Sequence, residues 1–313
     1  MILEFQFNGY KAPICFNQNG LTNFTIKKMD LLIQRLQVQR SAHRHSSGQR
    51  SVAKSLLVQR FNIRIITLSQ RLIPLIIPKE NVLNNYIHKS ENRGHIRQGW
   101  LDTKHSFSFG SWQDPRYMGV SALRVINEDI IAGNQGFGRH GHDNMEILTY
   151  VLSGQLSHKD SMGNTEHIPA GEWQLMSAGT GVQHSEMNST DQPVHLLQIW
   201  LYPNVRDLEP TYQQVKLDPR ELPNQWHHMV SPTQDTPLFI RQDANISAAY
   251  LLEGNTLPLQ SQRAINYLHV IEGKVRVNGD VVQTGDAIVF SGNAEIIADT
   301  DAHVLWFDLP EKP

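Results

Sequence analysis

Gly138-Arg139-His140-Gly141-His142-Asp143-Asn144-Met145-Glu146 decides how this chain is read, together with its downstream echo Val182-Gln183-His184-Ser185-Glu186. In each segment two groups able to bind a metal stand two residues apart. On an extended strand such side chains project from the same face, so each pair can aim two ligands at one point. Two neighbouring strands could then supply four. Glu146 shares parity with His140 and His142, so spacing admits it as a ligand too. A lone His-x-His among Gly, Asn and Asp is more often a solvated turn, but the second pair and the surrounding glycines make a metal site the better reading.

The candidate set holds imidazoles and carboxylates and no thiolate. Such donors suit Fe(II), Mn, Co, Ni, Cu or Zn, and ligand type alone does not choose among them. Four protein ligands around a metal that accepts six leave two positions for water, dioxygen or substrate, which is an open, catalytic arrangement. The other single histidines, His105, His158, His167, His195, His269 and His303, read as strand or surface residues. His227-His228 reads as part of a linker, without a matching partner.

Around these motifs the chain consists of short runs of strand-like composition, residues 121–127, 146–152, 173–176 and 195–201, with turn signals at 162–164 and 169–171. Many short strands at this spacing indicate a sandwich or barrel. A Pro-rich passage, residues 202–237, separates this block from a second of the same texture. There, Lys274-Val275-Arg276-Val277 and Val281-Val282 flank Asn278-Gly279-Asp280, a hairpin signal because Asn-Gly readily supplies positive φ. The fold is therefore read as all-β, with two tandem β-sandwich or barrel domains at residues 84–212 and 213–313, after an extension at residues 1–83.

Bulk properties agree. A chain of 313 residues has room for two medium domains. The only cysteine, Cys15, rules out an internal disulfide and a Cys-rich zinc site, and fits a reducing, cytoplasmic setting. Net charge is −2 but uneven: residues 1–80 carry 12 Lys and Arg against 3 Asp and Glu, or +9, and the remainder carries 16 against 27, or −11. Such a basic leader could be a nucleic-acid or membrane-surface arm, or a transit peptide. Glu4 and Asp30 interrupt a transit pattern, and no early apolar run follows a charged start. The most apolar stretch, residues 63–78, is broken by Arg64, Arg71, Pro74 and Pro78 and is too short and charged to span a bilayer. Neither a membrane nor a nucleic acid is expected as partner. A helix is conceivable around Leu31, Leu32, Ile33 and Leu36, ended by the Ser/Arg/His-rich residues 41–50. With no chemistry-bearing motif there, residues 1–82 read as translation from upstream of the natural start, with Val82 or Leu83 marking a non-AUG codon. A disordered arm is the alternative.

Residues 138–154 resemble the first cupin motif and residues 171–188 the second, with Gly171, Gly179, His184 and Asn188 in familiar places. Asn92-Arg93-Gly94-His95, Gly99-Trp100-Leu101-Asp102, His105-Ser106-Phe107-Ser108-Phe109, Ser161-Met162-Gly163-Asn164 and Met176-Ser177-Ala178-Gly179-Thr180-Gly181 resemble the pirin family more specifically. The likeness is strong from about residue 84 to about residue 210, weaker to the end, and does not reach the leader.

Resemblance to pirins implies a bicupin of two jelly-roll domains and one divalent transition metal per chain, usually iron as Fe(II), held by three histidines and one glutamate. By position these are His140, His142, His184 and Glu186. Because pirins take the carboxylate from the second motif, Glu146 would only orient a ligand. Aligning Gly273 with Gly154 sets Leu259, Ser261 and Ile265 opposite His140, His142 and Glu146. Aligning Gly285 with Gly171 sets Ala298 and Thr300 opposite His184 and Glu186. The second domain is thus expected to be metal-free and to pack against the first.

The family likeness also implies an activity, that of bacterial pirins with quercetin 2,3-dioxygenase activity, which open the central ring of a flavonol with dioxygen and release carbon monoxide. In that reading the metal acts as Lewis acid for the flavonol's ionised hydroxyl, and Glu186 or Glu146 accepts the proton. The competing reading is a metal- or redox-sensing regulator that binds a protein partner, as animal pirins do with transcription factors; in either reading the chain is expected to be a monomer. A pocket sealed against small aromatics, together with an exposed charged face that changes with metal oxidation state, would favour the regulator. The activity rests on analogy, whereas the metal rests on residues.

Overall fold

The computed structural model describes residues 85–233 and 235–313, together with two short strands nearer the N-terminus. Those strands, Ile2–Phe7 and Tyr10–Cys15, pair antiparallel, a hairpin that the leader's composition did not suggest. The helix expected around residues 31–36, and the rest of the basic extension, lie outside the described residues.

From Tyr86 onward each half of the chain builds two sheets. In the first half a four-stranded sheet runs in the order Thr165–Pro169, Gln155–Asp160, Val182–Met187, Gly136–His142. Its seven-stranded companion runs Thr211–Lys216, Glu172–Ser177, Glu146–Ser153, Val194–Leu201, Leu123–Ile131, Leu101–His105, Gly94–Gln98. The second half repeats the plan. Its four-stranded sheet is Thr256–Leu259, Ala294–Ala298, Lys274–Val277, Asp280–Gln283, and its seven-stranded sheet is Leu238–Phe239, His227–Ser231, Asn245–Leu251, Ala302–Leu309, Ile265–Glu272, Ala287–Phe290, Tyr86–His88. Two such sheet pairs make an all-β bicupin.

Period-two alternation explains how the layers stack. Along Glu146–Ser153, Leu148, Tyr150 and Leu152 face one way and Ile147, Thr149 and Val151 the other. The first set joins Trp173, Leu175, Leu197 and Ile199 in a core shared with Tyr267, Leu305 and Phe307, so the two seven-stranded sheets bury their outer faces on one another. Tyr150 stacks on Trp173 at a centroid distance of 3.8 Å. The second set faces each half's own interior: Val151 joins Leu156, Ile168 and Val194 in the first half, while Val270, Val275, Phe290 and Ile296 fill the second. Covered on both sides, the strand is buried from Glu146 to Leu152, which accounts for its near-continuous apolar run. Each fully buried large side chain contributes roughly 1.5–3 kcal/mol.

Sheet membership does not follow the expected line between residues 212 and 213. Thr211–Lys216 pairs with Glu172–Ser177, which carries the first half's sheet past that point. Tyr86–His88 pairs with Ala287–Phe290 and so belongs to the second half's sheet. The passage 202–237 is likewise more than a linker, since it holds the strands Thr211–Lys216 and His227–Ser231. Its six prolines, at 203, 210, 219, 223, 232 and 237, all fall outside those two strands, so they mark turns rather than a gap between domains. His227 and His228 are strand residues, and His228 Nδ1 lies 2.8 Å from Ser247 Oγ. The Asn-Gly hairpin forms as read: Val277 faces Asp280 across Asn278 and Gly279, whose φ values are 50° and 94°.

Candidate metal centre

Gly136–His142 is the outer strand of the first half's four-stranded sheet and pairs with Val182–Met187, with His184 directly opposite His140. Two-residue spacing puts His142 on the face of His140, and cross-strand pairing adds His184 to it. Ring centroids lie 4.8 Å apart for His140 and His142, 4.4 Å for His140 and His184, and 5.0 Å for His142 and His184. One nitrogen from each ring falls within 4.8 Å of the others. Gly136 makes this approach feasible, because a Cβ there would collide with the Glu186 carbonyl oxygen.

The donor set fits a divalent transition metal. His140 Nδ1 lies 2.8 Å from the Gly138 carbonyl oxygen; donating its proton there leaves Nε2 as the lone-pair donor. That Nε2 stands 3.0 Å from His184 Nε2, a separation at which two neutral nitrogens need a proton or a cation between them. Burial, then the charges of the neighbouring imidazoles, lowers the pKa of His142 to about 4 and that of His184 to about 3, which keeps their rings neutral at pH 7. Imidazole nitrogens converging on one point suit a transition metal.

The two glutamates are placed differently from the histidines. Glu186 is buried on the face of His184, but a bulge between the two shifts the register so that Glu186 faces Phe137. Its carboxylate accepts from Gln198 Nε2, at 3.1 Å to Oε1 and 3.0 Å to Oε2, with Thr149 Oγ1 3.3 Å from Oε1. It therefore stands beside the histidine trio rather than within it. Glu146 departs from expectation outright. Its Oε2 accepts from Ser177 Oγ at 2.7 Å and from the Arg241 backbone N–H at 3.2 Å, which ties the first half to the second. The strand carrying the first two histidines ends at His142, Asn144 turns the chain with φ 47°, and Glu146 opens a strand of the other sheet. Parity is not carried across such a turn, so Glu146 lies on the side of Leu148 and not with the histidines.

Several neighbours of the site were not singled out from sequence. His158, buried opposite Glu186, has its ring 5.4 Å from that of His184 and its Nε2 3.1 Å from Asp160 Oδ2. Trp200 packs edge-on against His142 at 4.9 Å. Asp129 is fully buried, and burial above all, with the Glu186 charge adding to it, pushes its carboxyl up to about 7. A groove of about 540 Å³, lined by Arg139, Asp143, Ser161, Thr180 and Gln183, opens onto His142. In the second half two of the matching positions, Leu259 and Ala298, belong to its buried apolar core.

These features define a bicupin with a single three-histidine divalent-metal centre, in its first half, among the described residues. The pirin family model matches residues 87–201, and the model of the quercetinase C-terminal cupin domain matches residues 228–309. The chain belongs to the pirin family. It is 44% identical over 234 residues to the quercetin 2,3-dioxygenase of Escherichia coli K12, covering 72% of this chain and 98% of that protein. A pirin-like protein of Caulobacter vibrioides is 36% identical over 221 residues, 69% of this chain and 95% of that one. The crystal structure of the E. coli bacterial pirin YhhW in complex with nickel(II) superposes with a TM-score of 0.69 at 42% identity, covering 72% of this chain and 99% of that one. Among the described residues no helix is long and apolar enough to cross a membrane.

Proposed function

We propose that this pirin is a metal-dependent flavonol 2,3-dioxygenase acting on quercetin or a close analogue. One observation carries the reading: His140, His142 and His184 each bring a ring nitrogen within 4.8 Å of the others, and a groove of about 540 Å³, within the size range of small-molecule sites, reaches His142. The activity named for the E. coli relative and the nickel(II) bound by YhhW agree with it.

We propose Fe(II) as the metal, with Mn, Co, Ni, Cu and Zn able to use the same donors. His140, His142 and His184 would hold it, and Glu186, two residues on from His184 on the same strand face, would supply the fourth ligand. When bound, the metal would supply Lewis acidity toward the flavonol hydroxyl. The protein's own groups do the rest. The Gly138 carbonyl fixes the tautomer of His140, and the Trp200 ring walls one side of His142. Glu186 is the nearest candidate to accept the hydroxyl proton, while Glu146, committed to Ser177 and Arg241, takes no part. The lone cysteine of the chain supports a reducing, cytoplasmic setting.

The test is elemental analysis of the purified protein, then aerobic measurement of flavonol loss and carbon monoxide release, with wild type and Glu186→Gln compared at matched metal occupancy. Activity should fall further than occupancy in the variant. Metal-loaded wild type that consumes no flavonol under air would refute the enzyme reading.

A further inference from the structure

We propose that Gln198, with its amide oriented by Thr149, is the positioning residue that holds the Glu186 carboxylate for the metal. This rests on the reading of Glu186 as a ligand.

The observation begins with strand register. His105, Asn127, Gln198, Thr149 and Gln174 stand opposite one another in turn across five adjacent strands of the seven-stranded sheet. All five are buried, and they face the interior of the first half. The next row along the same strands, Trp200, Ile147 and Met176, packs in an apolar cluster. A polar belt inside a barrel is costly unless its groups are bonded. At its ends it is poorly bonded: His105 Nδ1, Asn127 Oδ1 and both side-chain amide atoms of Gln174 lack a protein partner. Only the middle of the belt is knit together, and there the partner is Glu186.

Counting protons shows what that middle does. Gln198 Nε2 has two hydrogens and faces both carboxylate oxygens of Glu186, at 3.1 and 3.0 Å. Its amide oxygen stands 3.3 Å from Thr149 Oγ1. Were the amide flipped, its oxygen would meet the carboxylate, acceptor against anion. The Thr149 hydroxyl has one proton and stands 3.3 Å from both the Gln198 amide oxygen and Glu186 Oε1; given to Gln198 it favours the orientation in which Gln198 donates to Glu186, and given to Glu186 it holds the carboxylate directly. The chain Thr149, Gln198, Glu186 thus fixes a flexible carboxylate from behind, as the Gly138 carbonyl fixes His140.

The experiment measures cobalt(II) affinity of the full chain by chelator competition, with the visible absorption of the bound ion as a second readout. Gln198→Leu, which keeps bulk and loses the donor, should weaken binding roughly 10–100-fold and shift the absorption bands. Gln198→Glu, which sets an anion against Glu186, should weaken it further. Thr149→Val should cost less than Gln198→Leu, and Thr149→Ser should restore near-normal affinity, which keeps the test alive should a Gln198 variant fold poorly. In a Glu186→Ala background, Gln198→Leu should change affinity by less than about twofold, because a residue acting through another has nothing left to position. If Glu186→Ala leaves cobalt affinity unchanged, both the ligand reading and the proposal fall. If Glu186→Ala weakens binding but Gln198→Leu does not, or weakens it equally in both backgrounds, the ligand reading survives and the positioning role is overturned.

Discussion

Replacing His303 by Gln should remove about 2 kcal/mol of acid lability between pH 7 and pH 5. His303 is buried with its Nε2 3.4 Å from the Tyr150 hydroxyl, and its ring packs edge-on against Tyr150 and Tyr250. Burial first, then the charge of Arg220, lowers its pKa from 6.5 to about 3, against an opposing pull from Asp218. The folded pKa lies below the unfolded one, so the unfolded chain binds more protons throughout that window and stability rises with pH. The contribution is fully present above pH 6.5 and is lost as pH falls from there toward 3. At pH 5 the unfolded histidine is almost wholly protonated and the folded one is not, and integrating from pH 7 gives about 2 kcal/mol. The figure hardly depends on the folded value once that value lies well under 5. His88, His105 and His269, lowered chiefly by burial to about 4, about 4 and about 3, act in the same direction. Asp129, pushed up to about 7, acts in the opposite sense, since the folded state takes up that proton first. The assay is urea unfolding of chelator-treated protein at pH 7, 6 and 5. His303→Gln should lose about 2 kcal/mol less than wild type over that interval, whatever its absolute stability. Equal pH slopes for the two proteins would refute the argument.

Removing either His142 or His184 by substitution with Ala should abolish most of the single equivalent of bound metal while leaving the circular dichroism of the β-fold intact; two metals per chain in the wild type would contradict the assignment. Glu146→Ala should leave metal affinity unchanged and cost about 1–3 kcal/mol, read by urea titration, because the Ser177 hydroxyl and the Arg241 N–H lose their acceptor. A tenfold loss of metal affinity would return Glu146 to the site. Trp173→Ala should cost about 3–5 kcal/mol by the same measurement, since the indole stacks on Tyr150 in the shared core and donates to the Leu217 carbonyl at 2.9 Å.

Reading by periodicity worked where one strand ran unbroken. His140 and His142 share a face because nothing interrupts Gly136–His142, and Asn278-Gly279 makes its hairpin because the turn needs only local geometry. The same reasoning failed wherever the backbone departed from a plain strand. A left-handed Asn144 separated Glu146 from the histidines. Proline density misled in the same way: the prolines of residues 202–237 delimit two strands, and the count alone could not show that one belongs to each half. Tyr86–His88, three residues long, joins the second half's sheet through a pairing nearly two hundred residues distant, and no local pattern encodes that.

The site's surroundings show which part of this loss was avoidable. His158 meets the ligands only through the pairing of Gln155–Asp160 with Val182–Met187, so as an isolated histidine it carries no signal. Gln198, Thr149 and Gln174 are different, because each is a lone uncharged polar side chain within an apolar run: Leu196-Leu197-Gln198-Ile199-Trp200, Ile147-Leu148-Thr149-Tyr150-Val151, and Trp173-Gln174-Leu175-Met176. Burying such a group in a core strand costs free energy that a Leu or Val would not, so its presence asks for a reason even before the fold is known. Register sets the three side by side, and Gln198 and Thr149 reach Glu186. A polar residue that breaks an apolar strand is therefore a sharper pointer to this site than another histidine, and it locates the supporting groups that ligand spacing cannot reach.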